Sequence, residues 1–430
     1  MLRRALLLRC AAEPLPMPPL QKLHPSRMCE TLRRRGVETF FGVPNPLLRP
    51  LSTYLRATGT DPAAHVIAAN EATAMAMAAG YHLATGAVPC VYVENSGLGM
   101  VASPILSLLH RELYAVPCLV LVGWRGTPHA EVPDGPAQTV QGKLTEGMLS
   151  ALEVPFSVLC GSDNMDFYWD VLLDKAFFHF QSHGTPFVVL VEQDALAMDE
   201  AAAAALPPED AALQVELPLS LEAAVEQVTR QLDARDVVVT SPGGISDALY
   251  AVRERLGQRH AQDLTLVGGS GLAGSVAAGV ALAQPTRDVV VLEGDGAVLA
   301  QLGAVAVAGG AAAVRDARTG TGCLLHNYKH IVLNNGAAGD QPTCAMDVSL
   351  SAIAKGCGYA LAREEPVLQL GDLVAAVRDL KAMAGPAFLE VCVRRSDAAA
   401  ETTCPVVPSK MKENFTRFLH EGVRPPADAA

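Results

Sequence analysis

Short apolar runs rich in Val, Leu and Ile alternate with longer stretches of helical spacing along most of the chain, starting near residue 28. The apolar runs of the first half predict β-strands, at residues 37–41, 65–68, 89–94, 117–123, 154–159 and 186–192. Helical stretches lie between them, and the one that starts at Glu71 is expected to end at Gly86. This alternation predicts the α/β class, with parallel sheets covered by helices on both faces.

The alternation of predicted strands and helices stops between residues 195 and 218, a segment rich in Ala, Pro and acidic residues. It then resumes, with strands predicted at residues 236–240, 263–267, 287–292, 330–333 and 387–392. We therefore predict two similar α/β domains, joined by a linker and flanked by two terminal segments. The predicted divisions are a leader 1–27, a first domain 28–194, a linker 195–218, a second domain 219–395 and a tail 396–430.

The first 18 residues contain three arginines, a Leu/Ala face and no acidic residue before Glu13. This composition is typical of an organelle transit peptide and predicts a mitochondrial location. The alternative is a leader without a targeting role, in which case a cytoplasmic location is expected.

Composition narrows the classes of partner. The net charge of −12 and the lack of a basic stripe beyond Arg33-Arg34-Arg35 argue against a nucleic-acid partner. Two uncharged stretches, 268–286 and 296–314, are dominated by Ala and Gly. They predict buried helices and not membrane spans. The ten cysteines are scattered singly, which argues against a zinc site and for thiols packed in the core.

Polar residues follow two of the predicted strands of the second half. Gly294-Asp295-Gly296 comes after one strand and Asn334-Asn335-Gly336 after the next. Ligands of open α/β sheets bind beyond the carboxyl ends of the strands, and glycine lets the backbone approach them closely. Carboxylate and amide oxygens suit Mg²⁺. The alternative is that Asp295 caps the next helix and the asparagines form a turn.

This pair of motifs, separated by a helix and a strand, resembles the cofactor motif of thiamine-diphosphate enzymes. The resemblance implies that Asp295, Asn335 and the carbonyl of Ala337 hold Mg²⁺. Together with "NEATAMAMAAGYHLATG", "ENSGLG" and "GWRG", the motifs resemble those of phosphonopyruvate decarboxylases and the related sulfopyruvate decarboxylases over roughly residues 28–420.

The resemblance also implies roles for residues elsewhere. Glu71 would share a proton with the aminopyrimidine ring of the cofactor, although an acid at a helix start also complements the helix dipole. The other residues expected at the cofactor lie in three segments; they are Asn95, Ser96 and Gly97, then Gly268, Gly269 and Gly271, then Gly294 and Gly296. The glycines at 268–271 would let main-chain amides hold the diphosphate, or would simply form a tight turn.

The implied reaction is the decarboxylation of 3-phosphonopyruvate, a small 2-oxo acid, to phosphonoacetaldehyde and carbon dioxide. Arg125 and Lys143 are candidates to bind the phosphonate, with Asn45 as a further substrate contact, while either cation could equally be a surface charge. The cofactor of such enzymes lies between two subunits. We therefore expect at least a homodimer, in which Glu71 and Asp295 of one chain serve different sites.

Some positions depart from the family's pattern. Asn45 and Pro46 replace an acid and a hydroxyl residue, Gly135 and Gln138 replace a glutamate and a histidine, and Leu272 replaces a histidine. Three interpretations therefore stay open. They are a phosphonopyruvate decarboxylase, a decarboxylase of sulfopyruvate or another 2-oxo acid, and a cofactor-binding but weakly active partner subunit.

Overall fold

A computed structural model describes most of the chain, namely residues 20–59, 61–128, 134–206, 217–316, 322–338, 341–342, 348–394, 405 and 407–420. Of the predicted leader 1–27, residues 1–19 lie outside the described residues. Among the helices of the described part, none is both long enough and apolar enough to cross a membrane.

The first half forms a parallel six-stranded sheet with the order β2-β1-β3-β4-β6-β5. The strands are β1 Phe40–Gly42, β2 His65–Ile67, β3 Cys90–Glu94, β4 Leu119–Gly123, β5 Phe156–Leu159 and β6 Phe187–Val191. Each overlaps a strand that the apolar runs predict.

The helices of the first half cover both faces of this sheet. They are α1 Pro25–Arg34, α2 Arg49–Thr58, α3 Glu71–Thr85, α4 Leu98–Pro104, α5 Pro136–Ala151, α6 Met165–His183 and α7 Glu200–Ala204. Single turns of 3₁₀-helix span Pro62–Ala64 and Asn95–Gly97, and a π-helical turn spans Ile105–Leu109.

The second half forms another parallel six-stranded sheet, with the order β13-β14-β10-β9-β7-β8. Its strands are β7 Val237–Thr240, β8 Asp263–Thr265, β9 Val289–Gly294, β10 Tyr328–Asn334, β13 Ala360–Leu361 and β14 Ala387–Cys392. A separate antiparallel pair is formed by β11 Ala337–Ala338 and β12 Gln341–Pro342. The α/β class is confirmed. Only the two-residue strand β13 of the main sheet escapes prediction, because it is too short to give a pattern.

The helices of the second half again lie on both faces of the sheet. They are α8 Leu221–Arg230, α9 Gly244–Arg255, α10 Ala273–Ala283, α11 Asp295–Ala300, α12 Leu302–Gly310, α13 Leu350–Cys357, α14 Leu370–Ala382 and α15 Pro408–His420, with a 3₁₀ turn at Ala311–Ala313. The uncharged stretches 268–286 and 296–314 form α10, most of α11 and α12, so the predicted helices are present. They are only partly buried in the described chain, since Leu282 and Val307 are 39% and 77% exposed.

Burial on both faces explains why the strands read as continuous apolar runs and not as alternating ones. In β9, Val290 and Leu292 belong to the core formed with α8, α9 and α14. Val289 and Val291 belong to the core on the opposite face, with α10 and α12. The first sheet divides its core in the same way.

Local capping fixes where α3 begins and ends. The Asn70 Oδ1 accepts a hydrogen bond from the Thr73 N–H at 2.8 Å, so Asn70 is the N-cap and Glu71 the first helical residue. Gly86 ends the helix with φ of 73°, a left-handed conformation that glycine adopts without strain. The predicted end at Gly86 is confirmed.

Three contacts connect the two halves, one each at the start of α3, on α4 and on α5. The Asn70 Nδ2 donates to the Ala300 carbonyl at 3.2 Å, and the Gln301 Nε2 meets the Met100 Sδ at 3.8 Å. A Cβ placed on Gly268 would lie 2.9 Å from that of Ala137. The N-terminal end of α3 therefore faces the segment that follows β9.

The second half contains a buried ion pair, and removing one partner of it tests this fold. On α9, the Arg253 guanidinium donates two hydrogen bonds, of 2.7 and 2.8 Å, to the Asp263 carboxylate of β8, and both side chains are 3% exposed. Arg253→Met leaves a buried carboxylate without its partner. It should lower the free energy of unfolding by about 3 to 5 kcal/mol, as measured by urea denaturation.

Arg255→Met is the matched control on the same helix. Its guanidinium meets Glu226 at 2.5 Å but is 49% exposed, so the loss should stay below about 1 kcal/mol. Equal losses in the two variants would contradict the buried pairing.

Candidate active site

The carboxyl ends of β9 and β10 bring together the two motifs that the sequence singles out. Asp295 is the first residue of α11, is 1% exposed, and accepts a hydrogen bond at its Oδ1 from the Asn335 N–H at 3.4 Å. Parallel pairing of the two strands places Leu333 opposite Gly294, so the next residues of both strands leave the sheet side by side. The structure therefore brings Asp295 and Asn335 together, as the sequence predicts.

The turn after β10 is fixed by its own side chains. The Asn334 Oδ1 accepts from the Gly336 N–H at 2.9 Å, and the Asn335 Oδ1 accepts from the Ala337 N–H at 3.1 Å. Gly336 has φ of 62°, which favours glycine. The turn holds Ala337, the third predicted ligand, at the start of β11.

The donors present here suit a hard cation. Across the ranges that the structure describes, no group of three or more His, Cys, Asp and Glu residues could hold a metal ion. A cation at Asp295 would therefore rely on one buried carboxylate together with amide and carbonyl oxygens. Mg²⁺ is commonly bound by few protein oxygens, with the rest supplied by phosphate and water, so the residues fit it.

The predicted glycine segment packs beside α11. Gly269 and Gly271 have φ of 75° and 80°, and a Cβ on Gly271 would lie 2.7 Å from the Ala297 carbonyl oxygen. These glycines therefore let a tight turn approach the helix that Asp295 begins. That the turn also holds a diphosphate stays a prediction.

The Glu71 carboxylate packs against the backbone of Gly97, where any larger residue would occupy the same space. A Cβ on Gly97 would fall 2.3 Å from the Glu71 carboxyl carbon. Burial raises the pKa of Glu71 above its ordinary value, and the neighbouring Glu94 carboxylate raises it further. Glu71 is therefore better suited to hold a proton than a solvent-exposed glutamate is.

Asn95 and Ser96 position the loop that contains Gly97. The Asn95 Nδ2 donates to the Arg125 carbonyl and to the Thr145 Oγ1, both at 3.0 Å, while its Oδ1 accepts from the Arg125 N–H at 3.1 Å. The Ser96 Oγ donates to a carboxylate oxygen of Glu94 at 2.8 Å. Asn95 thus ties the loop after β3 to the loop after β4 and to α5.

The candidate substrate contacts differ in their surroundings. The Arg125 guanidinium meets the Asp134 carboxylate at 2.5 Å, and Asp134 also accepts from the Gly126 N–H at 2.8 Å. Although burial acts in the opposite direction, these hydrogen bonds hold the pKa of Asp134 below its usual value. Lys143 is exposed on α5. The charge of Arg125 is therefore already balanced by Asp134, and its contact with substrate stays a prediction.

Asn45 is buried and shapes the turn between β1 and α2. Its Nδ2 donates to the Val43 carbonyl at 3.2 Å, and its Oδ1 accepts from the Leu48 N–H at 3.0 Å. These bonds give Asn45 a structural role in the turn, and its contact with substrate stays a prediction.

Three residues near the site are not among those that the sequence predicts to be functional, namely Asn70, Asp134 and Glu390. Asn70 caps α3, Asp134 pairs with Arg125, and the Glu390 carboxylate accepts from the Asn334 Nδ2 at 2.8 Å. Glu390 leaves a signal in the sequence as a lone acid inside the apolar strand "AFLEVC", and Asn70 leaves one as a preferred N-cap residue directly before the predicted helix.

Comparison with known families agrees with this geometry. Residues 26–149 match the family described as "Thiamine pyrophosphate enzyme, N-terminal TPP binding domain", and residues 243–391 match the corresponding C-terminal TPP binding domain. Thiamine pyrophosphate is another name for thiamine diphosphate. The first match contains Glu71 and Gly97, and the second contains Asp295 and Asn335.

Individual relatives are decarboxylases. The chain is 30% identical to a phosphonopyruvate decarboxylase of Streptomyces viridochromogenes over 92% of this chain and 94% of that protein. It is also 30% identical to the sulfopyruvate decarboxylase subunit beta of Methanothermobacter thermautotrophicus, over 46% of this chain and 92% of that protein. A solved thiamine diphosphate-dependent 4-hydroxybenzoylformate decarboxylase of Rhodococcus jostii is 15% identical, with a TM-score of 0.34 and coverage of 87% of this chain and 99% of that one.

The chain therefore belongs to the thiamine pyrophosphate enzymes. Within that family it is a thiamine-diphosphate-dependent decarboxylase, a carboxy-lyase.

The predicted mitochondrial location is wrong on this comparison. The decarboxylases that match come from Streptomyces and from a methanogen, which are bacterial and archaeal cells without mitochondria. The Arg- and Leu-rich N-terminus misled the prediction because composition alone does not distinguish a transit peptide from another basic leader.

Gly97→Ala should displace the Glu71 carboxylate, because the added methyl group and the carboxyl carbon cannot occupy the same space. Exchange of the proton on the thiazolium carbon of bound thiamine diphosphate, followed by NMR after acid quench, should slow by about 10²- to 10⁴-fold. In the control Gly99→Ala, the new Cβ meets no atom within 4 Å, so exchange should be unchanged. Equal rates in both variants would rule out the contact.

The raised pKa of Glu71 also predicts a pH effect on stability. The folded chain binds this proton more tightly than the unfolded chain, so the stability due to this group is fully present below pH 4.5 and is lost as pH rises through the raised pKa. Glutamine does not ionise, so Glu71→Gln removes this loss of stability with rising pH. As pH rises above 4.5 and through the raised pKa, the unfolding temperature of the variant should rise relative to that of the wild type. Parallel profiles in circular dichroism would contradict the buried proton site.

Proposed function

We propose that this enzyme decarboxylates 3-phosphonopyruvate to phosphonoacetaldehyde and carbon dioxide, with thiamine diphosphate and Mg²⁺, as a step of phosphonate biosynthesis. The observation that supports it most is the meeting of Asp295 and Asn335 at the ends of β9 and β10. The 30% identity to a phosphonopyruvate decarboxylase over 92% of the chain supports the choice of substrate.

The residues of the chain supply orientation and proton control. When bound, the cofactor supplies an electron sink for the electron pair released as carbon dioxide leaves. Asp295, Asn335 and the Ala337 carbonyl would hold Mg²⁺, which would supply positive charge for the diphosphate. Glu71 holds a proton at its carboxylate next to the aminopyrimidine position, and Gly97 gives that carboxylate its place.

Arg125 and Lys143 are the proposed cations for the acid group of the substrate. A phosphonate carries up to two negative charges at neutral pH, and Lys143 is the candidate whose charge no acid offsets among the described residues. We propose that Lys143 supplies the attraction and that the planar Arg125 guanidinium, held by Asp134, supplies direction. Asn45, in the turn after β1, is proposed as a further contact with the substrate.

A second candidate substrate is 3-sulfopyruvate. The pairing of Arg125 with Asp134 leaves less positive charge for a dianion, and a sulfonate is only singly charged. The relative named sulfopyruvate decarboxylase subunit beta supports this alternative and also the reading as a partner subunit.

Steady-state release of carbon dioxide from both acids tests the substrate. The purified chain with thiamine diphosphate and Mg²⁺ should turn over phosphonopyruvate with the higher kcat/KM. A preference for sulfopyruvate would establish the second candidate. No turnover of either acid would exclude both substrates and favour the interpretation as a partner subunit.

Asp295→Asn tests the metal site in the same assay. The apparent affinity for Mg²⁺ should fall by more than about 100-fold, because even the outer partners of metal ligands contribute about 10- to 100-fold. Asp372→Asn, an exposed acid in the first turn of α14, is the control and should match the wild type. An unchanged Mg²⁺ requirement in Asp295→Asn would reject the assigned ligand.

We also propose a homodimer with shared active sites. Uncharged side chains are exposed on α3, α10 and α12, including Leu83 and Val307 at 65% and 77%, and a second copy of the chain would cover them. The contacts between the start of α3 and α11 occur here within one chain. The proposal is that two chains exchange these same contacts, as in domain swapping.

Mixing two inactive variants tests the sharing of sites. After refolding together, Glu71→Gln and Asp295→Asn should recover about a quarter of wild-type activity, because half of the dimers are mixed and each has one intact site. Sedimentation should show dimers of each variant alone. No recovery from confirmed mixed dimers would assign complete sites to single chains.

A further inference from the structure

Glu390 is a carboxylate in an unusual place. It lies in the middle of β14, between apolar neighbours, and is 3% exposed. Burial of a charged carboxylate is costly unless its oxygens receive hydrogen bonds. Its partners therefore show what the side chain does in the fold.

Both oxygens of Glu390 are occupied by donors of the protein. Its Oε1 accepts from the Asn334 Nδ2 at 2.8 Å. Its Oε2 accepts from the N–H and the Oγ of Ser351, at 3.0 and 2.9 Å. One oxygen thus faces the turn after β10, and the other faces the start of α13.

The bond to Asn334 fixes which way its amide points. A carboxylate only accepts hydrogen bonds, so the NH₂ group of Asn334 must face Glu390 and its oxygen must face the other way. That oxygen accepts from the Gly336 N–H at 2.9 Å. The side chain of Asn334 is therefore bonded at both ends and sets the path of the backbone through Asn335.

The path of this backbone decides where the candidate ligands lie. Asn335 follows Asn334 directly, and its N–H meets the Asp295 Oδ1 at 3.4 Å. The Ala337 N–H is bonded to the Asn335 Oδ1 at 3.1 Å. A reversed amide at Asn334 would place two NH groups face to face at Gly336 and would open the turn.

We propose that Glu390 is a positioning residue for the metal site: its charge fixes the amide of Asn334 and thereby the turn that presents Asn335 and Ala337 beside Asp295. Glu390 is proposed to act through Asn334, to which its Oε1 is hydrogen-bonded, and not as a ligand of the metal ion. The inference rests on the proposed use of Asp295 and Asn335 as metal ligands.

Glu390→Gln keeps the size of the side chain but turns one oxygen into an NH₂ group, which opposes the donors of Asn334 or Ser351. With thiamine diphosphate present, the affinity for Mn²⁺, read from the EPR signal of free Mn²⁺, should fall by about 10- to 100-fold. Ser351→Ala is the control, since it removes the hydroxyl donor on the helix side of the same carboxylate. It should lower Tm while leaving Mn²⁺ affinity within about 2-fold of wild type.

A swapped pair separates positioning from general stability. In Glu390→Gln combined with Asn334→Asp, the glutamine NH₂ donates to the new carboxylate, whose second oxygen still accepts from the Gly336 N–H. The net charge of the pair is also restored. Mn²⁺ affinity should return to within about 3-fold of wild type, whereas Asn334→Asp alone, with two facing carboxylates, should lose it.

The outcomes distinguish this inference from the metal site itself. If the wild type binds no Mn²⁺ with thiamine diphosphate, the assignment of Asp295 and Asn335 fails. If the wild type binds and a folded Glu390→Gln binds equally well, only the role of Glu390 is overturned. Should Glu390→Gln not fold, the swapped pair decides, and its failure to fold or to bind Mn²⁺ would also overturn the proposal.

Discussion

The parallel pairing of β9 with β10 is the constraint on which the site depends. Gly294 lies opposite Leu333, so α11 and the turn after β10 leave the sheet at the same level and Asp295 reaches the N–H of Asn335. A slip of one residue would turn each side chain of a strand to the other face of the sheet. Because the helices on both faces pack against particular side chains of each strand, such a slip would also disrupt that packing, so the packing that stabilises the sheet fixes the site.

Amide side chains hold the loops at the carboxyl edge of both sheets. In the first half, Asn95 donates to the loop after β4 and to α5, and accepts from the same loop. In the second half, Asn334 is held between Glu390 and Gly336. An amide offers a donor and an acceptor on one rigid group, so it can tie two segments in a single orientation. Similar physics thus orders the edge where Glu71 lies and the edge where Asp295 lies.

The charges around the site are mostly compensated within the chain. Arg125 is paired with Asp134, and the positions where the sequence departs from the family's pattern add no charged group, as Asn45 is used in a turn and Leu272 is 45% exposed. In the proposed function, preference among anionic substrates therefore depends on few residues, with Lys143 and Arg125 foremost. Because so few charged residues are involved, the resemblance to known families identifies the decarboxylation chemistry but not the acid group of the substrate.

The sequence by itself determined all but the two-residue strands, the two α/β halves and the meeting of Asp295 with Asn335, because apolar runs are local and parallel strands end at a common edge. Only the tertiary structure decided the hydrogen bonds between residues far apart in the chain. Asn334 and Glu390 are separated by 56 positions, and Asn70 and Ala300 by 230. Such bonds depend on strand register and side-chain orientation, which packing of the whole fold sets and no local pattern encodes.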